Sequence, residues 1–302
     1  MQVLSVGEVL WDVFPHGEIL GGAPLNFAAN IVRLGGRANL ISAVGADERG
    51  RRARKAIEAL GVGSEFLRET AAAPTGTAVV STSAEGEPEF HIQRPAAFDF
   101  VDLSKEEFDA AKGMRPDWLY FGTLLHTTAR AERLTERLAG ELPGIRCFYD
   151  MNLRPGAWSV ELVQRLCGLA SILKLNEFEA RTLADLTGMG GASFSLEIFC
   201  QDWASRYRLE NICVTLGAAG CLIYQDGRTH TVPGYPARIQ DTVGAGDAFA
   251  AAYLHGFSSG WPVTETARFA NALGSIVASR PGATPAWSLD EVLTLTARTS
   301  SP

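Results

Sequence analysis

The chain has 302 residues, 46% of them hydrophobic and 20% charged, with a formal net charge of −7. That balance suits a globular protein with a large core and argues against nucleic acid as partner, because an acidic surface repels phosphates. No apolar run is long enough to cross a bilayer, and His16, His91, His126, His230 and His255 lack the spacing of a metal cage.

Residues 3–9 read as a strand that begins at once, without the basic start, apolar run and cleavage site of a secretory signal. A cytoplasmic location is expected. The scattered cysteines (Cys147, Cys167, Cys200, Cys213, Cys221) agree with it, since an odd number without C-x-x-C spacing reads as reduced core residues. A helix is predicted over 25–34, a strand over 39–44 and a helix over 50–60. Residues 77–83 and 89–94 then alternate apolar and polar about a turn at 84–88, the pattern of a hairpin. The piece 11–20, broken by Pro15 and Gly17, is expected to pair beside it. Strands follow at 118–121, 146–150, 171–175 and 212–215, and helices at 129–139, 177–186, 248–257 and 264–279. This alternation predicts one α/β unit over 1–302, a central, mainly parallel sheet flanked by helices. A small antiparallel lid, formed discontinuously by 11–20 and 76–97, would close over one end and exclude water.

The most informative stretch is Asp241-Thr242-Val243-Gly244-Ala245-Gly246-Asp247-Ala248-Phe249. Two glycines and an alanine let backbone N–H groups crowd where a helix begins, which makes a nest for an anion. Asp247 follows, placed to take a proton from a hydroxyl beside that anion. The same residues also suit an ordinary helix start, with the aspartate favouring the macrodipole.

Ligands of open parallel sheets gather beyond the carboxyl ends of the strands, and polar groups stand at several such ends. They are Asp12, Gly21-Gly22-Ala23-Pro24-Leu25-Asn26, Asp150-Met151-Asn152-Leu153-Arg154, Asn176 to Glu179, and Thr215 to Gly220. Asn176 and Glu179 also have the spacing of a capping box. The 215–220 loop equally suits a tight connection between two strands. No G-x-x-x-x-G-K-[ST] occurs, so a P-loop does not hold the phosphates.

Taken in order, these motifs resemble the ribokinase-like (PfkB-type) carbohydrate kinases from Val3 to about Pro285, the 241–249 block being the most specific. Leu34-Gly35-Gly36, Gly45 to Gly50 and Arg280-Pro281-Gly282-Ala283 extend the match. Gly7 to Asp12, the G-G-A-P-x-N form and Arg154-Pro155-Gly156-Ala157-Trp158 are most similar to fructokinases. The resemblance implies the ribokinase-like fold, ATP as phosphoryl donor, Mg²⁺ and a monovalent cation such as K⁺. It implies Asp247 as base, with the Gly244, Ala245 and Gly246 amides as anion hole. Asp12, Gly22, Asn26, Arg94 and Arg154 would hold the sugar, and Thr215, Gly217, Gly220, Asn271 and Asn176 the nucleotide. Asn176 and Glu179 would organise Mg²⁺ through water. Asp241, Val243, Val277, Arg280, Gly282 and Ala286 match the monovalent-cation positions, although Ala286 stands where some relatives have a hydroxyl.

The expected activity is transfer of phosphate from ATP to a primary sugar hydroxyl, with fructose giving fructose 6-phosphate. Alternatives are 2-keto-3-deoxygluconate, whose carboxylate Arg94 and Arg154 would clamp, and a nucleoside stacked on Phe14, Phe90 or Phe98. A more distant one is a sugar-binding regulator without catalysis. A homodimer joined through the lid is expected from its exposed strands.

Overall fold

The computed structural model describes residues 1–15, 17–82, 88–191 and 194–298. Strand β1 (Gln2–Val6) is followed by β2 (Leu10–Phe14) and β3 (Gly17–Gly21), then α1 (Ala23–Arg33), β4 (Arg37–Gly45), α2 (Glu48–Ala59) and β5 (Leu67–Thr70). Next come β6 (Gly76–Thr82), β7 (Pro88–Ile92), α3 (Lys105–Gly113), β8 (Trp118–Gly122), α4 (Ala129–Glu141) and β9 (Arg146–Asp150). The chain continues through α5 (Val160–Cys167), β10 (Ile172–Asn176), α6 (Glu177–Leu186), α7 (Leu196–Tyr207) and β11 (Asn211–Thr215). It ends with β12 (Cys221–Gln225), β13 (Arg228–Val232), α8 (Ala245–Ser258), α9 (Val263–Ala278) and α10 (Leu289–Arg298).

Nine strands form the main sheet in the order β13-β12-β11-β10-β9-β8-β1-β4-β5. All neighbours from β11 to β5 pair parallel, and only the β11–β12 and β12–β13 pairs are antiparallel. Strands buried on both faces read as near-continuous apolar runs; β8, Trp-Leu-Tyr-Phe-Gly, is buried at every position. Successive side chains nevertheless serve different cores. Leu119, Phe121, Tyr149 and Leu173 pack with buried residues of α3 to α7, whereas Trp118, Tyr120, Phe148 and Ile172 pack with those of α1, α2, α8 and α9. Phe27 of α1 stacks on Tyr120 with ring centroids 3.8 Å apart. All five cysteines are buried and free, as expected of core residues. Among the described residues no helix is long and apolar enough to cross a membrane.

The predicted 3–9 strand stops three residues early. β1 ends at Val6, and the chain turns at Gly7, where a Cβ would lie 2.2 Å from the Pro24 Cγ, before entering a different sheet at Leu10. Buried Val9 continues the apolar pattern through the bend, which hides the break in the sequence. The second sheet has the order β3-β2-β6-β7 and is the predicted lid. It is mixed rather than antiparallel: β2 and β6 both leave the core at the same end and pair parallel, while the β2–β3 and β6–β7 pairs are antiparallel. Most of the turn expected at 84–88 lies outside the described residues. Strand β5, the β12–β13 hairpin and helices α3, α5, α7 and α10 were not anticipated.

The lid is fastened to the start of α2. Asp47 caps that helix by accepting from the Gly50 amide at 2.8 Å, and it also accepts from the Thr75 amide and hydroxyl at 2.9 and 2.7 Å. Thr75 immediately precedes β6. On the other lid strand Trp11 donates its indole N–H to the Arg49 carbonyl at 3.1 Å. The Glu18 carboxylate of β3 accepts from Arg49 and Arg52, and the Arg52 guanidinium lies 4.3 Å over the Trp11 ring. Asp47→Ala removes the helix cap together with the Thr75 partners; a loss of about 1–2 kcal/mol of unfolding free energy is expected, read from the urea midpoint.

Candidate active site

The strand order reverses at β1, which lies between β4 and β8, and a crevice therefore opens beyond the carboxyl ends of the central strands. Three features of the chain converge there: the β1–β2 turn with Glu8, the start of α1, and the start of α8.

Helix α8 begins three residues earlier than expected, at Ala245, so that Ala245, Gly246 and Asp247 form its first turn. Gly244 is the N-cap in the left-handed region, φ 77°, and a Cβ on it would lie 2.1 Å from the Ala283 carbonyl oxygen. Only glycine meets both demands. First-turn amides have no partner within a helix. The Ala245 amide donates to the Thr242 carbonyl at 3.3 Å, a long bond, whereas the Gly244, Gly246 and Asp247 amides have no acceptor among the described residues. The amides left open at this turn are thus those of Gly244, Gly246 and Asp247, with Ala245 engaged in the turn.

Asp247 is buried, and its Oδ2 accepts from the Asn26 side-chain amide of α1 at 2.8 Å. Burial pushes its carboxyl up to about 6, and the Asp150 anion adds to the rise; Lys174, the Asn26 bond and Arg154 oppose it. The Asn26 Oδ1 is itself buried without a partner. Gly22, φ 113°, forms the turn into α1, where a Cβ would strike the Glu8 carbonyl oxygen at 2.4 Å. Asp12 is buried on β2, its Oδ2 lying 2.9 Å from where a Gly21 Cβ would be. Burial raises the Asp12 carboxyl to about 6, with Arg154 opposing. Asp12, Gly22, Asn26 and Asp247 are thus brought together as the sequence suggested.

The two arginines differ. Arg154 is exposed and its guanidinium has no hydrogen bond or ion pair among the described residues, yet its charge acts on Glu8, Asp12 and Asp247. Arg94 is committed: its guanidinium pairs with Asp99, donates to the Leu124 carbonyl at 3.1 Å and lies over Phe98. Phe98 is wholly buried in the core and unavailable to stack on a ligand, and the Phe90 side chain lies outside the described residues.

On the nucleotide side, β11 and β12 are joined by a short 3-10 turn at Gly217–Ala219, so the 215–220 loop is also the tight strand connection. Gly217 and Gly220 have φ 59° and 103°. Thr215 at the end of β11 donates to the Leu175 carbonyl at 3.5 Å. Asn271 of α9 donates to the Val232 and Pro233 carbonyls at 3.1 Å, which holds the loop after β13.

Asn176 and Glu179 do form a capping box: Asn176 Oδ1 accepts from the Glu179 amide and Glu179 Oε2 from the Asn176 amide, each at 2.8 Å. Glu179 Oε1 accepts from the Leu153 amide. Both carboxylate oxygens are thus engaged, a donor set that fits hydrated magnesium held through water and not direct coordination. Among the described residues no cluster of His, Cys, Asp or Glu could cage a metal. The monovalent-cation positions fit less well. Asp241 accepts from the Val243 and Gly282 amides, both at 3.0 Å, Val277 caps α9 through its carbonyl, and the Ala286 carbonyl is taken by the Arg280 guanidinium.

Three buried groups, Glu8, Tyr120 and Lys174, were not among the sequence-based candidates, and Asp150 was named only as a strand-end residue without a role. Glu8 Oε1 accepts from the Ala23 amide at 3.2 Å, capping α1, and burial raises its carboxyl to about 7. Asp150 Oδ1 accepts from Lys174 Nζ at 2.9 Å and its Oδ2 from the Tyr120 hydroxyl at 3.0 Å. For Asp150 and Lys174 the signal was present: a charge at an alternate position of an otherwise apolar strand.

A sequence profile of the pfkB family carbohydrate kinases matches residues 13–289. A fructokinase of Escherichia coli is 31% identical over 271 residues, 85% of each chain. The crystal structure of a fructokinase with bound ATP from Xylella fastidiosa superposes with a TM-score of 0.86 at 25% identity, covering 99% of both chains. A fructokinase from Vibrio cholerae O395 in fructose, ADP and calcium ion bound form gives 0.82 at 25% identity, over 98% of both.

A carboxyl whose folded pKa is raised binds its proton more tightly when folded, so its contribution to stability is complete below the unfolded value and is lost as pH rises through the folded one. For Glu8 that window runs from 4.5 to about 7. Glu8→Gln is expected to remove about 3 kcal/mol of that pH-dependent loss, seen as a flatter stability profile in urea titrations between pH 4.5 and 7.5.

Proposed function

The chain belongs to the pfkB family of carbohydrate kinases and is an ATP-dependent sugar kinase, and we propose that its acceptor is fructose, phosphorylated on a primary hydroxyl to fructose 6-phosphate. The observation that carries the mechanism is Asp247, buried, held by Asn26 and set in the helix turn whose amides lack partners. With its carboxyl near 6, Asp247 is largely ionised at neutral pH yet still basic enough to accept a proton, as a general base requires. It orients the hydroxyl and takes its proton as the oxygen attacks the terminal phosphorus in line. Negative charge on the moving phosphoryl group falls on the Gly244, Gly246 and Asp247 amides, which need no reorganisation. Asp12, Gly22, Asn26 and Arg154 position the sugar, and a closed lid keeps water from competing. The Thr215 to Gly220 loop and the segment fixed by Asn271 border the nucleotide. Asn176 and Glu179 would hold a hydrated magnesium ion through water, and its charge would offset that of the phosphates.

The engagement of Arg94 by Asp99 favours a neutral sugar over 2-keto-3-deoxygluconate. The two-arginine clamp envisaged for a sugar acid is not available, because only Arg154 is uncommitted, and its charge is already balanced by the acidic Glu8 and Asp12. Burial of Phe98 removes one of the aromatic faces a nucleoside would use. The E. coli and V. cholerae relatives are fructokinases, which supports the same choice.

A dimer through the lid is part of this reading, because Ile19 and Val79 of the lid strands are 37% and 41% exposed. Ile19→Asp is expected to halve the mass seen by light scattering; a wild-type chain already monomeric at working concentration removes the dimer. Asp247→Asn is expected to lower kcat by about 10²–10⁴ with sugar affinity nearly unchanged, and undiminished turnover excludes Asp247 as base. In a coupled assay over ketoses, aldoses, sugar acids and nucleosides, fructose should give the highest kcat/KM. A sugar acid in first place overturns the acceptor assignment, and sugar binding without ATP consumption overturns catalysis.

A further inference from the structure

We propose that Lys174 and Asp150, an ion pair on the floor of the site, set the charge of Asp247 by opposing fields and thereby position it as a base; this rests on the reading of Asp247 above. Lys174 of β10 and Asp150 of β9 are directly opposite in the sheet register. Each follows its strand's alternation, Asp150 after Phe148 and Lys174 after Ile172, onto the face covered by α1 and α8. Both are buried, with Lys174 Nζ 2.9 Å from Asp150 Oδ1, and the Tyr120 hydroxyl fixes the other oxygen. A Cβ on Gly246 would sit 3.0 Å from Lys174 Nζ. The ammonium therefore lies against the backbone of the first turn of α8, one residue from Asp247.

Packing does not call for these charges. Their same-face neighbours are Phe148, Ile172 and Cys213, and a buried ion pair is frequently replaceable by apolar residues without loss of stability. Away from water its field is weakly screened. The Asp150 anion raises the Asp247 carboxyl and the Lys174 ammonium lowers it. Burial disfavours charge on Lys174, but the anions of Asp150, Asp247 and Glu179 hold its ammonium above the ordinary lysine range. The other groups facing Asp247 are Glu8 from the β1–β2 turn, Asn26 from α1, Tyr120 from β8 and Arg154 from the loop after β9. Only the β9–β10 pair holds opposite charges in fixed contact.

The test is a carbon-13 NMR titration of the intact protein with labelled aspartate carboxyl carbons, the Asp247 resonance being identified by its loss in Asp247→Asn. Asp150→Asn is expected to lower the Asp247 pKa and Lys174→Met to raise it, each by about one unit, a tenfold change in proton affinity. The double variant should return close to the wild-type value. If Lys174→Met leaves Asp150 unpaired and does not fold, Asp150→Asn against the double variant still isolates the lysine. The acid limb of kcat/KM for fructose should follow the same shifts. Loss of thermal stability with an unmoved Asp247 resonance, or shifts of the same sign in both single variants, overturns the proposal. An active Asp247→Asn overturns the role of Asp247 as base, while the titration still decides whether the pair sets its charge.

Discussion

One hydrogen bond ties the site together, that from the Asn26 amide to the Asp247 carboxylate, between residues 221 apart in the chain. It joins the start of α1, which descends from the lid, to the start of α8, which closes the last third of the fold. Without it two helix N-termini would meet across a buried negative charge with nothing to fix their spacing. With it, Asp247 and the unpaired amides of its own α8 turn are held at a fixed distance from the start of α1.

The sheet supplies what that bond cannot. A parallel sheet buried on both faces is mostly apolar, and a carboxyl placed there shifts towards its neutral form. Asp247, Asp12 and Glu8 all move that way. The protein restrains the shift locally, with an ammonium under the base, an amide beside it and an exposed arginine at the mouth. It does not raise the polarity of the whole pocket.

Much of this was legible in the sequence. The motif around Gly244 to Asp247 carried its own geometry, since glycine and small residues at a helix start permit the left-handed cap that is observed. Asp12, Gly22 and Asn26 fell beside it because strand ends converge. What escaped was of two kinds. At the Gly7 break the Pro24 ring leaves no room for a Cβ, a constraint from a residue far along the chain that no local pattern reports. Arg94 looked like a ligand cation because the ion pair with Asp99 is made only when the chain leaves the lid and turns back to the core. Asp150, Lys174 and Tyr120 were visible as residues, but their meeting depends on strand register, which the sequence does not state.

The fastening of the lid has a further bearing on the site. Trp11 and Thr75, at the roots of the two parallel lid strands, both grip the first residues of α2. Strands pinned to one short span of helix share a common root. Asp12, next to Trp11, is placed by that root, whereas Asp247 is placed by α8 and its bond to Asn26. The spacing of the two buried carboxyls is therefore set as much by the α2 anchorage as by the site itself.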